Sequence, residues 1–267
     1  MVERSPNNLG LMEPLSEYQV IANLRQQEDA SDRYYAAWWL GKMRSQHPDA
    51  VPLLLGTLSA LSDDPVNEED RGIALNAIRA LGLLLNPAAN DPLIQLLGSK
   101  DYTVREEAAR SLGAMKTTAA VPHMCQLLGG GPAAAGREQV GSSTLQEPCE
   151  AVLEALGNIG VNNPNVLNVI TPFSTHPRPL VRAAACRALL QLMKEQCWAV
   201  ELERLLQHPE PLVRRGVLLD LGATGWTPAL PAIASASVEA SLKLVALRGL
   251  AEQSDDIAVL DVMDRLL

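Results

Sequence analysis

A pattern that returns along the chain constrains the fold more strongly than any other feature of the sequence. In the stretch "DYTVREEAARSLG", counted from zero at Asp101, a basic residue stands at offset four, a small apolar pair at offsets seven and eight, and Leu-Gly at offsets eleven and twelve. The same residue classes return, completely or in part, in seven stretches: Asp29–Gly41, Asp70–Gly82, Asp101–Gly113, Leu145–Gly157, Arg178–Leu190, Glu210–Gly222 and Glu239–Ala251. Such repetition is typical of a fold that stacks one structural unit many times.

The apolar positions of the pattern predict an α-helix in each stretch. Offsets seven, eight and eleven lie on one stripe of a helix, and small residues in that stripe let neighbouring helices approach closely. The glycine at offset twelve is expected to end the helix in a left-handed conformation. Because one helix pair cannot bury its own apolar face, the pairs must stack. We therefore predict an all-α fold, a single solenoid (an α-α superhelix) of about seven helix pairs over residues 1–267.

Three segments depart from the repeat. The segment "SEYQVIANLRQQ" before Asp29 is predicted to form a helix that caps the stack, and residues 1–14 are predicted to be disordered. Two insertions, near 62–70 and 129–147, lengthen the interval between repeats; the first is acidic, and the second contains "GGGPAAAG". Stretches of this composition predict mobile loops.

Composition and motifs exclude several classes of function. The net charge of −9 argues against binding to nucleic acid, which needs a surplus of Lys and Arg. The N-terminus lacks the features of a signal peptide, and no apolar run reaches the length of about 18 residues that a membrane span needs. We therefore expect a soluble, cytoplasmic protein.

Neither the cysteines nor the histidines form a metal-binding pattern. None of the four cysteines stands at zinc-ligand spacing from another cysteine or a histidine, so no metal site is predicted. Cys186 lies in an Ala-rich helical run and is predicted to be a small buried hydrophobe. The sequence has no phosphate-binding loop and no nucleophile elbow, and we expect no tightly bound cofactor.

The first repeat carries an aromatic block where the others carry polar residues. Tyr34, Tyr35, Trp38 and Trp39 stand at offsets five, six, nine and ten. Tyr34 with Trp38, and Tyr35 with Trp39, are four residues apart and so share a helix face. Either the cap helix covers these side chains, or at least one pair is exposed for a ligand or a partner.

Arginine recurs at two positions of the pattern. Offset nine holds Arg79, Arg110, Arg187 and Arg248, interrupted by Trp38, Glu154 and Leu219. These arginines either form a basic ridge that suits carboxylates, or each pairs with a neighbouring acid. At offset four, we interpret Arg and Lys as a structural ladder bonded to acids such as Asp29, Asp101 and Glu210.

Several stretches together resemble one protein family. The run "YYAAWWLG" and the stretches "DYTVREEAARSLG", "RPLVRAAACRALLQL" and "LVRRGVLLDLGATGWTPALPAIASASVEASLKLVALRGL" are similar to the E subunit (alpha subunit) of the E/F-type phycobilin lyases. These are HEAT-like repeat proteins of cyanobacteria, and the stretches look most like the phycocyanobilin lyase type that serves the phycocyanin alpha subunit. The similarity extends from about residue 17 to residue 250.

The resemblance implies an activity and its partners. E subunits act as heterodimers with an F-type subunit, and the pair attaches an open-chain tetrapyrrole, usually phycocyanobilin, through a thioether to a cysteine of a phycobiliprotein alpha subunit. The bilin is then the substrate, the lyase forms a carbon–sulfur bond, and the reaction needs no redox cofactor. The sequence leaves open which bilin is used and whether attachment is coupled to isomerisation.

The resemblance also suggests roles for individual residues. Tyr35, Trp38 and Trp39 are expected to form aromatic walls for the conjugated rings, and the arginines at offset nine are expected to bind the propionates. Asp220 in "LLDLGATGW" is the candidate catalytic group, as a hydrogen-bond partner of the pyrrole nitrogens, unless its position is structural. The alternative function is a non-catalytic HEAT-repeat adaptor that binds phycobiliproteins during phycobilisome assembly or degradation. A general peptide-binding solenoid would leave the aromatic block without a purpose.

Overall fold

The computed structural model describes residues 15–62, 66–254 and 256–267. Within these residues the regular secondary structure is helical and no strand is formed, which confirms the predicted all-α class. The predicted disorder of residues 1–14, and residues 63–65 of the first insertion, lie outside the described part. The helices have these bounds: α1 Glu17–Arg25, α2 Ala30–Lys42, α3 Ala50–Thr57, α4 Glu68–Leu84, α5 Asn90–Leu96, α6 Tyr102–Ala114, α7 Val121–Leu127, α8 Gly131–Ala134, α9 Cys149–Ile159, α10 Pro164–Ile170, α11 Pro179–Met193, α12 Gln196–Leu205, α13 Pro211–Gly222, α14 Leu230–Ser235, α15 Ala240–Ala251 and α16 Ile257–Asp264.

Packing divides the chain into two compact units, with the boundary between Ala80 and Leu81. In the first unit, a capping box of Ser16 with Gln19 begins α1, and the Asp29 side chain caps the N-terminus of α2. Such side chains satisfy the free N–H groups of a first helical turn. α1 packs against α2, as predicted for the cap helix. The apolar stripes of both helices are buried: Val20, Ile21 and Leu24 on α1, and Ala36, Ala37 and Leu40 on α2.

In the second unit the helices of the repeated pattern pack in chain order. α9 lies against α6 and α11, and α13 lies against α11 and α15. Their small and branched apolar side chains form the core, as the pattern predicts; examples are Ala108, Leu112, Cys186, Leu189 and Leu221, which have no exposed surface. The prediction that Cys186 is a small buried hydrophobe is therefore confirmed.

The glycine at offset twelve has a different role from the predicted one. Each of these glycines lies inside its helix and lacks a positive φ, so the predicted left-handed helix stop is wrong. A Cβ at any of them would fall within 2.8 Å of a residue on the following repeat helix, which is why only glycine fits there: Gly41 meets Ala80, Gly82 meets Ser111, Gly113 meets Ala155, Gly157 meets Ala188 and Gly222 meets Ala246. The left-handed residue comes three positions later, as at Arg44, Leu85 and Lys116.

The insertion 129–147 makes defined contacts within the second unit. Glu138 and Leu145 form an isolated antiparallel bridge. Arg178 at the start of α11 binds Glu138 at 2.6 Å and also the Ser143 carbonyl. The buried His176 ring accepts a hydrogen bond from the Arg178 N–H at Nδ1, so Nε2 carries the proton and donates to the Gly136 carbonyl at 3.0 Å. Mobility of this insertion stays a prediction.

The cations at offset four form a structural ladder, but the predicted acid partners are wrong. Arg33 pairs with Asp70 at 2.9 Å, and Arg105 pairs with Glu147 at 2.9 Å. Asp29 and Asp101 instead cap the N-termini of their own helices. Other cations of this column donate to backbone carbonyls, as Lys243 does to Ala234 at 2.7 Å.

Replacing Arg105 with methionine is expected to destabilise the protein by about 3 kcal/mol, because removing one partner of a buried ion pair leaves the other uncompensated. The Arg105 side chain is 11% exposed, and it donates to Glu147 and to the carbonyls of Ser99, Lys100 and Gln146. Urea unfolding measures the effect. Arg204→Met, which removes an exposed pair with Glu201, is the control and should leave stability almost unchanged. Equal losses of stability in the two variants would contradict a structural role for the cations at offset four.

Candidate functional site

The aromatic patch, which we define as Tyr34, Tyr35, Trp38 and Trp39, lies on α2 in the first unit. Tyr34, Tyr35 and Trp38 are 49%, 44% and 45% exposed, and Trp39 is partly buried. The rings of Tyr35 and Trp38 contact each other, with centroids 5.4 Å apart and planes inclined by 37°. The cap helix therefore leaves three of these rings open to solvent. An exposed aromatic surface of this kind is suited to a flat ligand or a partner.

In the second unit, alternating charges cross four consecutive repeat helices. We call this set the charge ladder: Arg110 on α6, Glu154 on α9, Arg187 on α11 and Asp220 on α13. Arg110 and Glu154 are 2.9 Å apart, Arg187 and Glu154 are 3.6 Å apart, and Arg187 and Asp220 are 3.1 Å apart. Glu106 also binds Arg110, at 3.2 Å.

Asp220 is the most deeply placed acid of the charge ladder. It is 7% exposed, and burial raises the pKa of its carboxyl to about 7, against the opposing effect of Arg187. Burial raises a carboxyl pKa because it disfavours the charged form. Burial thus favours the protonated form of this carboxyl more than it does for an exposed aspartate. Burial also raises the pKa of the neighbouring Glu150 carboxyl.

Amide side chains extend the charge ladder toward the helix ends. Asn158 accepts from Arg187 at 3.1 Å and from Gln191 at 3.2 Å, and Gln191 also donates to the Ala223 carbonyl at 2.9 Å. Two buried atoms of this network, Arg187 Nε and Gln191 Oε1, have no hydrogen-bond partner among the residues that the structure describes.

The predicted arginine column is largely neutralised by acids. Arg110 and Arg187 belong to the charge ladder, and Arg248 pairs with Glu252 at 2.8 Å. Arg79 donates to Asn76 at 3.3 Å. Of the two alternatives for this column, pairing with neighbouring acids is the one that describes Arg110, Arg187 and Arg248.

The described residues include possible metal ligands and buried thiols. Within them, no group of three or more His, Cys, Asp or Glu side chains is placed to hold a metal ion. Burial raises the pKa of the Cys149 and Cys186 thiols to about 12, so neither supplies a thiolate near neutral pH. Among the helices that the structure describes, none is long and apolar enough to cross a membrane.

Comparison with known proteins places these features in a class. A sequence profile of HEAT repeats matches residues 66–143, and a profile of the PBS lyase HEAT-like repeat matches residues 32–59, which include the aromatic patch. The helical repeats and these matches define a HEAT-repeat protein in which residues 32–59 match the PBS lyase kind of repeat.

Individual relatives narrow the class further. The chain is 60% identical to the bilin biosynthesis protein RpcE of Synechococcus sp. strain WH8020, over 99% of this chain and 100% of the relative. It is 44% identical to the phycocyanobilin lyase subunit alpha of Picosynechococcus sp. strain PCC 7002, over 93% of this chain and 95% of the relative. A solved structure of the complex of CpcE and CpcF of phycocyanin lyase from Nostoc sp. PCC7120 matches with a TM-score of 0.83 and 42% identity, over 100% of both chains. The chain belongs to the family of phycocyanobilin lyase alpha subunits, and the lyase interpretation is favoured over the adaptor.

Proposed function

We propose that this chain is the alpha-type subunit of a heterodimeric lyase that joins an open-chain tetrapyrrole to a cysteine of a phycobiliprotein alpha subunit. The observation that carries the proposal is similarity to a lyase alpha subunit over 93% of the chain and to one chain of the CpcE and CpcF complex over 100% of it. The partner is an F-type subunit, the site of action is the cyanobacterial cytoplasm, and phycocyanobilin is the first bilin to test. The bilin is the substrate, and no tightly bound cofactor takes part.

The reaction is an addition without net oxidation. The acceptor cysteine sulfur forms a bond to the side chain of the terminal ring, the carbon–carbon double bond there is consumed, and the thiol proton ends on the bilin. The nucleophile therefore comes from the acceptor, which agrees with the lyase's own buried thiols of high pKa. The lyase must orient the bilin and manage one proton.

Two sets of residues are suited to these tasks. Tyr35 and Trp38 offer a half-exposed aromatic surface for the conjugated rings. Asp220, with a carboxyl pKa of about 7, is suited to hydrogen-bond a pyrrole nitrogen and to exchange a proton with it. Arg187, held by Asp220 and Glu154, is the cation of the ladder that a propionate would meet.

Co-expression tests the proposal directly. This chain is produced with an F-type subunit, a phycocyanin alpha subunit and a phycocyanobilin pathway, and the denatured acceptor is examined by absorption and zinc-enhanced fluorescence. We expect a covalently coloured acceptor that disappears when this chain or the F-type subunit is omitted. A colourless acceptor, when a second lyase pair colours its own acceptor under the same conditions, would contradict the proposed function.

A further inference from the structure

The first turns of α2 and α4 border a cavity of about 280 Å³ in the first unit. We call it the Tyr34 pocket; its lining residues are Ala30, Ser31, Tyr34, Glu68, Glu69 and Gly72. The Tyr34 ring passes close to α4 where Gly72 has no side chain, since a Cβ there would lie 3.5 Å from the ring. Asn76 donates to the Tyr34 carbonyl at 3.1 Å and so fixes the backbone that carries the ring. The pocket thus has a held, half-exposed aromatic wall.

The charge of the Tyr34 pocket is negative. Among the described residues, its lining includes two carboxylates and no Lys, Arg or His. Glu68 is 85% exposed and lies 3.8 Å from Arg71, a long separation for an ion pair. Both glutamates stand in the first turn of α4, where they also favour the helix dipole. Asp70, the third acid of this turn, pairs with Arg33 at 2.9 Å.

An aromatic face beside carboxylates is suited to a cation. Guanidinium and ammonium groups are attracted to the face of a tyrosine ring, and carboxylates bind them through charge-assisted hydrogen bonds. A bilin carries two propionates, so the same charges repel it. The Tyr34 pocket therefore differs in its preferred ligand from the adjoining Tyr35 and Trp38.

We propose that the Tyr34 pocket binds a lysine or arginine side chain of the acceptor polypeptide and so orients the acceptor on the lyase; this rests on the proposed function. A permanent subunit interface is apolar at its centre and depleted of glutamate. Exposed carboxylates instead favour a transient partner, because charge complementarity raises the rate of encounter without requiring a large dry interface. Of the two protein partners of a lyase alpha subunit, the acceptor is the one that must leave after each turnover.

The test measures acceptor binding without bilin. The heterodimer is purified as wild type, as Glu68→Gln/Glu69→Gln and as Tyr34→Ala, and its affinity for the uncoloured acceptor is measured at low and high salt. We expect about tenfold weaker binding for the double variant, the loss of one charge-assisted contact, and a shallower dependence on salt. Asp261→Asn/Asp264→Asn, which removes two exposed acids of α16, is the matched control and should bind as wild type does.

Two further measurements separate the possible outcomes. Bilin uptake by the heterodimer, followed by absorption without acceptor, should be unchanged in the double variant, and so should co-purification with the F-type subunit. Unchanged acceptor affinity would overturn the inference, and so would loss of the F-type subunit, which would make that subunit the occupant. Weaker acceptor binding with intact bilin uptake supports it. Failure of the wild-type pair to colour the acceptor is a separate result, which counts against the proposed function.

Discussion

Replacing both Tyr35 and Trp38 with alanine is expected to lower the rate of bilin transfer about 100-fold, since each ring contributes about 1.5 kcal/mol of stacking and burial. The two rings contact each other and are about half exposed. Their removal therefore opens no cavity in the core, and helicity and thermal stability should stay close to wild type. Single-turnover transfer to the acceptor, followed by absorption of the covalent product, measures the effect.

Two controls separate stacking from general damage. Tyr35→Phe with Trp38→Phe keeps two aromatic faces and should retain most of the activity. Tyr18→Ala removes another exposed ring of the first unit, one that contacts His47 rather than the aromatic patch, and should transfer bilin normally. A normal rate in the Tyr35→Ala/Trp38→Ala variant would contradict the role of the aromatic patch as a bilin surface.

The fold was largely predictable because the information is local and repeated. Each repeat carries the pattern that predicts a helix with one buried apolar stripe. An irregular copy such as Leu145–Gly157 can therefore be predicted to be a helix by comparison with the others. The glycine at offset twelve shows where local reasoning fails. A glycine at this position indicates a helix end. In the structure it instead lets a second helix approach, as Gly113 does with Ala155. Which residue stands opposite depends on packing that no single repeat reveals.

The candidate site was only partly predictable. The aromatic patch stands out because its residues replace polar ones at equivalent positions. The charge ladder does not stand out in the sequence, because Glu154 and Asp220 occupy different offsets of the pattern. Their side chains contact Arg187 only when three helices are packed together. Glu154 at offset nine, among arginines, was the available signal that this column alternates in charge. Asn158 and Gln191 carried no signal in the sequence.

Asp220→Asn tests whether the buried carboxyl takes part in the chemistry. If its proton serves the bilin, the wild-type transfer rate should fall as the pH rises through about 7, where the carboxyl loses that proton. Asparagine keeps the size and one acceptor oxygen for Arg187 but cannot exchange a proton. We expect the variant to be about 100-fold slower below pH 7, within the range for loss of a general acid, and to lack the inflection near pH 7.

The pH dependence of the free energy of unfolding provides a control. Substitution of Asp220 should change it even if the role of this residue is purely structural. The pKa of the Asp220 carboxyl is higher in the folded protein, at about 7, than the value of about 3.9 expected for an unfolded chain. Its contribution to stability is therefore fully present below about pH 4 and is lost as the pH rises through about 7. The free energy of unfolding of Asp220→Asn should lack this decline. Suppose that the substitution flattens the stability profile but leaves the transfer rate and its pH dependence unchanged. Asp220 then has only a structural role in the charge ladder, and the proton must come from the acceptor or from the bilin itself.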